Sequence, residues 1–291
     1  MTRSDPIKPV CVFDGPRTCS QVFGKLWMAH PQLEHVFMHM MGPSVYGPQK
    51  NIWRGRQHCQ DAEAAFTSLT ETANNGPGMF PPETYPNQSK EIQQTVAAIQ
   101  ERRKTAWVKD HTFCVMPPAV IDTWLSKKSW SEKQLDNPTP FSTEFLDSVT
   151  PVFLFRHPAL TIPSWLRMMK DSLRNEIEDE DFQICTTLYW TRLLFDSYLR
   201  RRGVMGCSNG GKSCKVPLII ETSDLIYKTE AVVHRVCQET GVARDGVQFA
   251  WEPAPEDLQP PSALARTFFK DMFESTGIRR KLQVGKPREV R

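Results

Sequence analysis

The chain has 291 residues, a formal net charge of +3, 40% hydrophobic and 24% charged residues, a composition that excludes a disordered or fibrous protein. No apolar stretch reaches the roughly 20 residues of a transmembrane helix, and residues 1–6 lack the apolar region of a secretory signal. We therefore expect a cytoplasmic protein without a membrane partner, folded as one domain over residues 1–291.

The positive charge is concentrated in a basic tail, residues 279–291, which carries six Lys or Arg and one Glu. The rest of the chain is slightly acidic in sum, whereas nucleic-acid-binding proteins usually carry basic residues along one face. We therefore expect no nucleic-acid partner. The eight cysteines are scattered and form no Cys-x-x-Cys pair, so the sequence predicts no metal and no disulfide framework.

Strands and helices alternate along the chain. Apolar runs predict the strands, and helical spacing or helix-start residues predict the helices. In chain order, these are strand Val10–Phe13, helix Gln21–His30, loops with short helices over 40–88, helix Lys90–Lys104, strand Ala106–Lys109, strand Pro151–Phe155, helix Pro158–Met169, helix Asp181–Arg202, strand Val216–Glu221 and helix Ser223–Thr240. This order predicts an α/β protein with a central parallel β-sheet and helices on both faces, in which ligands bind at the carboxyl ends of the strands.

A cation and hydroxyl groups follow the first strand and its turn, in the sequence Pro16-Arg17-Thr18-Cys19-Ser20. Backbone N–H groups at a helix start, together with the forked donors of Arg17, suit a phosphate or a sulfate. Thr18 and Ser20 would add hydroxyl donors. The alternative is a plain turn in which Ser20 caps the helix.

Lys109 and His111 follow the second predicted strand and are two residues apart, so both can face one cleft. Histidine suits a general base near neutral pH, and lysine can stabilise developing negative charge. The alternative is a histidine that is merely hydrogen-bonded at a strand end.

Arg156 closes the apolar third strand, and Ser164 follows it by eight residues. An arginine in that position requires a compensating anion, because burying an unpaired charge is costly. A salt bridge to an acidic side chain is the alternative to a ligand. After the fourth strand, Thr222, Ser223 and Asp224 are predicted to be helix caps.

Two further patterns point to binding sites that we do not expect to exist. Residues 206–213 match the Walker A pattern, but a helix precedes them and a strand follows, which is the wrong context for a nucleotide loop. We predict an exposed loop there. His35 and His39 have the spacing of two ligands on one helical face, but no third ligand is near, which favours a structural or substrate-contact role.

Three of these segments, in order, resemble those of the P-loop-type sulfotransferase superfamily, most closely its fungal sulfotransferase-like members. The 5′-phosphosulfate loop of that family resembles residues 16–20. Its Lys-x-His segment resembles Lys109-Asp110-His111, and its 3′-phosphate segment resembles Arg156-His157-Pro158 with Ser164. The resemblance covers most of residues 9–240.

The resemblance implies sulfuryl transfer from 3′-phosphoadenosine 5′-phosphosulfate (PAPS) to a hydroxyl or amine of a small molecule, such as a secondary metabolite. It assigns His111 as the base, Lys109 to charge on the bridging oxygen, and six residues to the nucleotide: Arg17, Thr18, Cys19, Ser20, Arg156 and Ser164. Two departures stand out. Cys19 replaces a glycine of the family, and residues 275–281 stand where the family has an Arg-Lys-Gly loop.

Two other functions remain open at this stage. A repurposed sulfotransferase fold could use His111 and Lys109 for acid–base chemistry, such as cyclisation, dehydration or isomerisation, without transferring sulfate. A binding protein that keeps only the anion site is the alternative without catalysis. The acceptor and the oligomeric state, a homodimer included, are also left open.

Overall fold

The computed structural model describes residues 7–36, 39–45, 47–49, 83–173, 176–203, 216–255, 270 and 272–278. The loop 206–213, the tail 279–291 and most of the predicted loops at 40–88 lie outside these residues. The described elements, in chain order, are β1 Val10–Asp14, α1 Ser20–Lys25, β2 Leu33–Val36, α2 Gly42–Val45, α3 Tyr85–Glu101, β3 Thr105–His111, α4 Pro118–Leu125, α5 Glu132–Asp136, α6 Thr143–Ser148, β4 Thr150–Phe155, α7 Pro158–Leu173, α8 Glu180–Thr186, α9 Tyr189–Arg201, β5 Leu218–Glu221, α10 Thr222–Tyr227 and α11 Thr229–Thr240.

The five described strands form one parallel sheet in the order β2-β3-β1-β4-β5. The chain leaves β1 toward β2 and β3 on one side, and it later returns to place β4 and β5 on the other. Such a reversal opens a crevice at the carboxyl end of the central strand. The end of β1 is therefore the position to examine for a ligand.

Side chains of β1 point alternately to two hydrophobic layers, as the pleat of a strand requires. Cys11 and Phe13 pack in a layer with α3, α4 and α9, whereas Val10 and Val12 pack in a second layer with α1 and α11. Both faces of the sheet are thus covered, which is why its central strands are largely apolar before their carboxyl ends. The predicted α/β fold with helices on both faces is confirmed.

The sequence did not predict β2. This strand has four residues, of which Glu34 and His35 are polar and only half-buried, and it lies at the edge of the sheet. A short edge strand with polar centres carries neither the continuous apolar run nor the alternation that marks a strand. Its pairing with β3 decides its conformation.

Two predicted helices are each divided in the structure. The segment 181–202 contains α8 and α9, which are separated by Thr187 and Leu188, and the hydroxyl of Thr187 accepts a hydrogen bond of 3.1 Å from the N–H of Tyr189. The segment 223–240 contains α10 and α11, with Lys228 between them. Lys228 is both the last residue flanking α10 and the N-cap of α11. Of the described helices, none is both long and apolar enough to cross a bilayer.

Thr222 is not the predicted helix cap; its hydroxyl links the loop after β1 to the end of β4. The Glu221 carboxylate caps α10 by accepting from the N–H of Ser223 at 2.8 Å. The buried hydroxyl of Thr222 reaches two backbone carbonyl oxygens, that of Thr18 at 2.8 Å and that of Phe155 at 3.0 Å. It therefore fixes the loop after β1 against the end of β4.

We expect Thr222→Val to lower the free energy of unfolding by about 1–3 kcal/mol, because a buried carbonyl oxygen loses its donor. Urea unfolding followed by circular dichroism measures this loss. Thr229→Val is the control, since its hydroxyl donates only locally, from the first residue of α11 to the carbonyl of Leu225 in α10. Equal losses in the two variants would contradict a special role for Thr222.

Candidate functional site

The residues that the sequence assigned to a ligand come together at the carboxyl ends of three neighbouring strands. Those assigned to the 5′-phosphosulfate occupy the loop after β1 and the first residue of α1, those assigned to catalysis end β3, and those assigned to the 3′-phosphate follow β4 and lie on α7. The register places His111 and Leu154 on either side of Asp14, the last residue of β1.

The loop between β1 and α1 has an uncommon backbone. Arg17 and Cys19 have φ angles of 64° and 62°, in the left-handed region that favours glycine. Cys19 takes the N-cap position without a side-chain hydrogen bond, and Ser20 is the first residue of α1. The prediction that Ser20 caps this helix is therefore wrong. Thr18 closes the turn by donating to the carbonyl oxygen of Gly15 at 2.9 Å.

The two arginines assigned to the nucleotide lie in direct contact. Arg156 Nη1 donates to the carbonyl oxygen of Arg17 at 3.1 Å, and Arg17 Nε donates to Ser164 Oγ at 3.1 Å. Arg156 is half-buried, and no carboxylate of the described residues forms an ion pair with it. The salt bridge that the sequence left as an alternative for Arg156 is thus not found among them. Helix α1 has only six residues, so Arg17 and Arg156 supply most of the positive charge around this loop.

On the other side of β1, Lys109 and His111 share one buried carboxylate. His111 Nδ1 is hydrogen-bonded to Asp14 Oδ1, and Lys109 Nζ lies 3.5 Å from Asp14 Oδ2. The Asp14 side chain is fully buried, whereas 16% of the His111 side chain is exposed. The histidine ring is therefore partly exposed at the crevice, while its Nδ1 is held by the buried Asp14 carboxylate.

Asp14 is ionised in this environment. Burial by itself raises the pKa of a carboxyl group, but the charges of Lys109 and His111, together with hydrogen bonds from His111 and Ser20, lower it further than burial raises it. The pKa of Asp14 therefore lies below its ordinary value. The sequence analysis did not single out Asp14, although its place at the end of the first apolar strand was a usable signal.

His39, like Asp14, lies at the site although the sequence did not predict its position there. Its Nδ1 lies 3.3 Å from Asp110 Oδ1, and its ring centroid is 4.7 Å from that of His111. His35 lies on β2 and bonds to the carbonyl oxygen of Trp27 at 3.0 Å. The two histidines do not share a helix, so their spacing does not place them side by side on one helical face as metal ligands. No three His, Cys, Asp or Glu side chains in the described ranges cluster as metal ligands.

The carboxyl group of Asp110 anchors the end of β3. Asp110 Oδ2 accepts from the N–H of Met41 at 2.7 Å, and Oδ1 accepts from the N–H of His111 at 2.7 Å. The strand that carries the candidate base is thereby fixed to the segment 39–41.

The segment proposed to replace the family's Arg-Lys-Gly loop is described only as far as Ile278. Ser275 Oγ accepts a hydrogen bond of 3.1 Å from Trp251 Nε1, and Gly277 pairs with Ala250 in an isolated bridge. Residues 279–281, which carry its charges, lie outside the described residues, so its role stays a prediction.

We expect stability to fall as the pH drops from 6.5 to 4. Burial, with the charge of Lys109, lowers the pKa of His39 to about 4 from 6.5. Within that window the unfolded chain binds more protons than the folded one, so stability decreases with decreasing pH. At about 1.4 kcal/mol per pKa unit, the decrease due to His39 approaches about 3 kcal/mol.

Urea unfolding of His39→Asn at several pH values tests this expectation, because the variant should lose less stability over the window. Burial also lowers the pKa of His35, so the comparison between variant and parent is the measurement. The carboxyl of Asp14 titrates below the window. His234→Asn, at an exposed position, is the control; a slope in His39→Asn equal to that of this control would contradict the assignment.

Two curated fungal proteins are similar to the chain in sequence. Sulfotransferase ppzF from Metarhizium rileyi (strain RCEF 4871) is 29% identical over 204 residues, and sulfotransferase ppzF from Metarhizium majus (strain ARSEF 297) is 26% identical over 204 residues. Each alignment covers 64% of this chain and 59% of the relative, so the chain matches less than two thirds of either protein's length. No protein-family model matches the chain.

Two solved structures are also similar, at a level that does not by itself establish a common fold. The sulfotransferase domain from the curacin biosynthetic pathway has a TM-score of 0.40 at 15% identity, covering 91% of this chain and 83% of that one. The sulfotransferase domain from the Synechococcus PCC 7002 olefin synthase has a TM-score of 0.35 at 16% identity, covering 92% and 90%. The predicted resemblance is confirmed at this level: the protein has an α/β fold with a parallel sheet flanked by helices, and its sequence is similar to those of fungal sulfotransferases.

Proposed function

We propose that this protein transfers a sulfuryl group from PAPS to a hydroxyl or amine of a small molecule. The observation that carries the proposal is the contact between Arg17, Arg156 and Ser164, which join the two segments assigned to the nucleotide into one basic cluster. This cluster lies across β1 from His111. Two strand spacings of about 4.8 Å separate β3 from β4, so base and anion site stand about 10 Å apart at the level of the backbone.

The residues present fit an anionic nucleotide. Arg156 uses one guanidinium nitrogen for the Arg17 carbonyl and has no carboxylate partner among the described residues. Its remaining donors suit a phosphate, which an arginine fork binds through two parallel hydrogen bonds. The Ser164 hydroxyl lies in the same cluster, whereas the Thr18 hydroxyl donates to the carbonyl oxygen of Gly15. The left-handed conformation of Cys19 is one that glycine adopts without strain, which agrees with the glycine of the family at this position.

In this proposal His111 takes the acceptor's proton. When bound, PAPS supplies an electrophilic sulfur and a phosphate leaving group. Because Nδ1 of His111 is bonded to Asp14, Nε2 is the nitrogen that accepts a proton. The acceptor's heavy atom would bond to sulfur as the bond between sulfur and the phosphate oxygen of the leaving group breaks, and the acceptor's proton would pass to Nε2. Lys109, which is nearly buried, would offset negative charge on the departing oxygen.

The proposal is tested by adding 3′-phosphoadenosine 5′-phosphate (PAP), then by incubation with ³⁵S-labelled PAPS and a panel of phenols, alcohols and amines. We expect PAP to raise the melting temperature, since a ligand that binds only the folded state stabilises it, and label to appear in an acceptor. An absence of both a thermal shift and label transfer would contradict the proposal.

A repurposed fold is the second candidate, and Cys19 is the observation that favours it. Its side chain stands in a left-handed loop position where the family has glycine, and it places extra volume where a backbone should approach the nucleotide. The His111–Asp14 pair would still serve acid–base chemistry. Mass spectrometry separates the two candidates, because transfer adds one sulfuryl group to the substrate, whereas isomerisation or dehydration leaves an isomer or a loss of water.

We expect Arg156→Ala to weaken PAP binding more than about tenfold, because a hydrogen bond to a charged group contributes roughly 1.5–3 kcal/mol. Isothermal titration calorimetry measures the affinity, and circular dichroism verifies folding. Arg167→Ala is the matched control, since Arg167 is an exposed arginine on the same helix as Ser164. Equal affinity in a folded Arg156→Ala protein and its parent would remove Arg156 from the nucleotide site.

We expect His111→Ala to lose at least about 10²-fold in turnover, the lower range for removal of a general base, while PAP affinity is unchanged. Label transfer from ³⁵S-PAPS to the best acceptor of the panel measures turnover. His234→Ala, at an exposed position on α11, should behave like the parent. Undiminished turnover in His111→Ala would show that His111 is structural.

A further inference from the structure

Asp14 is the fully buried carboxylate that, among the described residues, bonds to the side chain of the candidate base. It ends the central strand, directly before the loop that carries Arg17. Its Oδ1 is bonded to His111 Nδ1, and its Oδ2 lies 3.5 Å from Lys109 Nζ. The neighbouring carboxylate, Asp110, is equally buried but bonds to His39 and to backbone N–H groups. Asp14 is therefore bonded to the ring of His111, whereas Asp110 is bonded to the ring of His39 and to backbone N–H groups.

The ionised state of Asp14 determines which nitrogen of His111 carries the proton. An ionised carboxylate can only accept hydrogen bonds, so the nitrogen that faces it must be the donor. In the neutral ring this places the hydrogen on Nδ1 and the lone pair on Nε2. The ring can accept a proton from a substrate only in this tautomer and in this orientation. The opposite tautomer would direct a hydrogen at the substrate and a lone pair at the carboxylate.

We propose that Asp14 is the positioning residue of the candidate base: it fixes the Nδ1–H tautomer of His111 and balances the positive charge that forms when Nε2 takes the proton. This assignment rests on the proposed function insofar as His111 is the base, and it holds equally for the acid–base alternative. During the step the acceptor's proton moves to Nε2, the Nδ1 proton stays on the ring, and Asp14 stays ionised.

The surroundings of His111 explain why a carboxylate is needed at this place. Lys109 is a buried cation on the same strand, and the ring of His39 is 4.7 Å from that of His111. A protonated His111 beside Lys109 would be unfavourable without compensating negative charge. Asp14 faces both Lys109 and the protonated His111. The Asp110 carboxylate faces His39 instead. On the remaining side, the ring of Phe113 stacks on His111 at 5.7 Å and brings no charge.

The tautomer can be measured directly by ¹⁵N NMR of protein labelled at histidine, without any nucleotide or acceptor. The two ring nitrogens of a neutral histidine have well-separated shifts, and the resonances that disappear in His111→Gln identify His111. We expect protonated Nδ1 and unprotonated Nε2 in the parent above pH 7. In Asp14→Asn, whose side-chain amide can donate to Nδ1, we expect a mixed or reversed tautomer. Asp110→Asn, the matched control, should keep the parent's tautomer.

Activity supplies an independent readout. Asp14→Asn removes the negative charge and the acceptor that hold the His111 ring in the productive tautomer. Maximal turnover should fall while PAP affinity, measured by calorimetry, is unchanged. A hydrogen on Nε2 in the parent, or the parent's tautomer in Asp14→Asn, would overturn the assignment. A protein that shows the expected tautomers but transfers no sulfuryl group to any acceptor would support Asp14 and reject the proposed reaction.

Discussion

A carboxylate buried at the end of the central strand sets the conditions for the rest of the site. Asp14 has no exposed surface, and an isolated charge in such a place would be very costly. The protein compensates it with Lys109 and His111 from β3 and with the hydroxyl of Ser20 from α1. This pairing holds β3 in register with β1 at the crevice, and it also brings a base and a cation to one point.

The other half of the site depends on the loop after β1. Two of its residues, Arg17 and Cys19, have a left-handed backbone, which costs energy for residues other than glycine. The loop is held from outside, by Thr222 from the start of α10 and by the Arg156 side chain from the end of β4. The proposed anion-binding groups, fixed in this way, would need little rearrangement when a ligand binds, which favours affinity.

The fold alone does not decide the reaction. The parallel sheet and the similarity to fungal sulfotransferases establish the architecture, but the same architecture can support different chemistry. The anion cluster favours a nucleotide donor, whereas the His111–Asp14 pair would serve any proton transfer. Cys19 bears on the choice between a nucleotide-dependent transfer and other proton-transfer chemistry. Its side chain adds volume at a position where a glycine backbone would approach the ligand.

Apolar runs and helical spacing in the sequence determined four of the described strands, the two-faced α/β fold and the order of the site residues, because burial on both faces leaves a local signal. Local pattern did not determine β2, whose pairing with β3 decides its conformation, or the N-cap of α1, which lies in a left-handed backbone. It also did not determine the breaks at Thr187 and Lys228. Only the tertiary structure showed that Asp14 faces His111 and that Arg156 contacts Arg17. Residues 97 and 139 positions apart are brought together by strand pairing, and no local sequence pattern encodes a contact of that range.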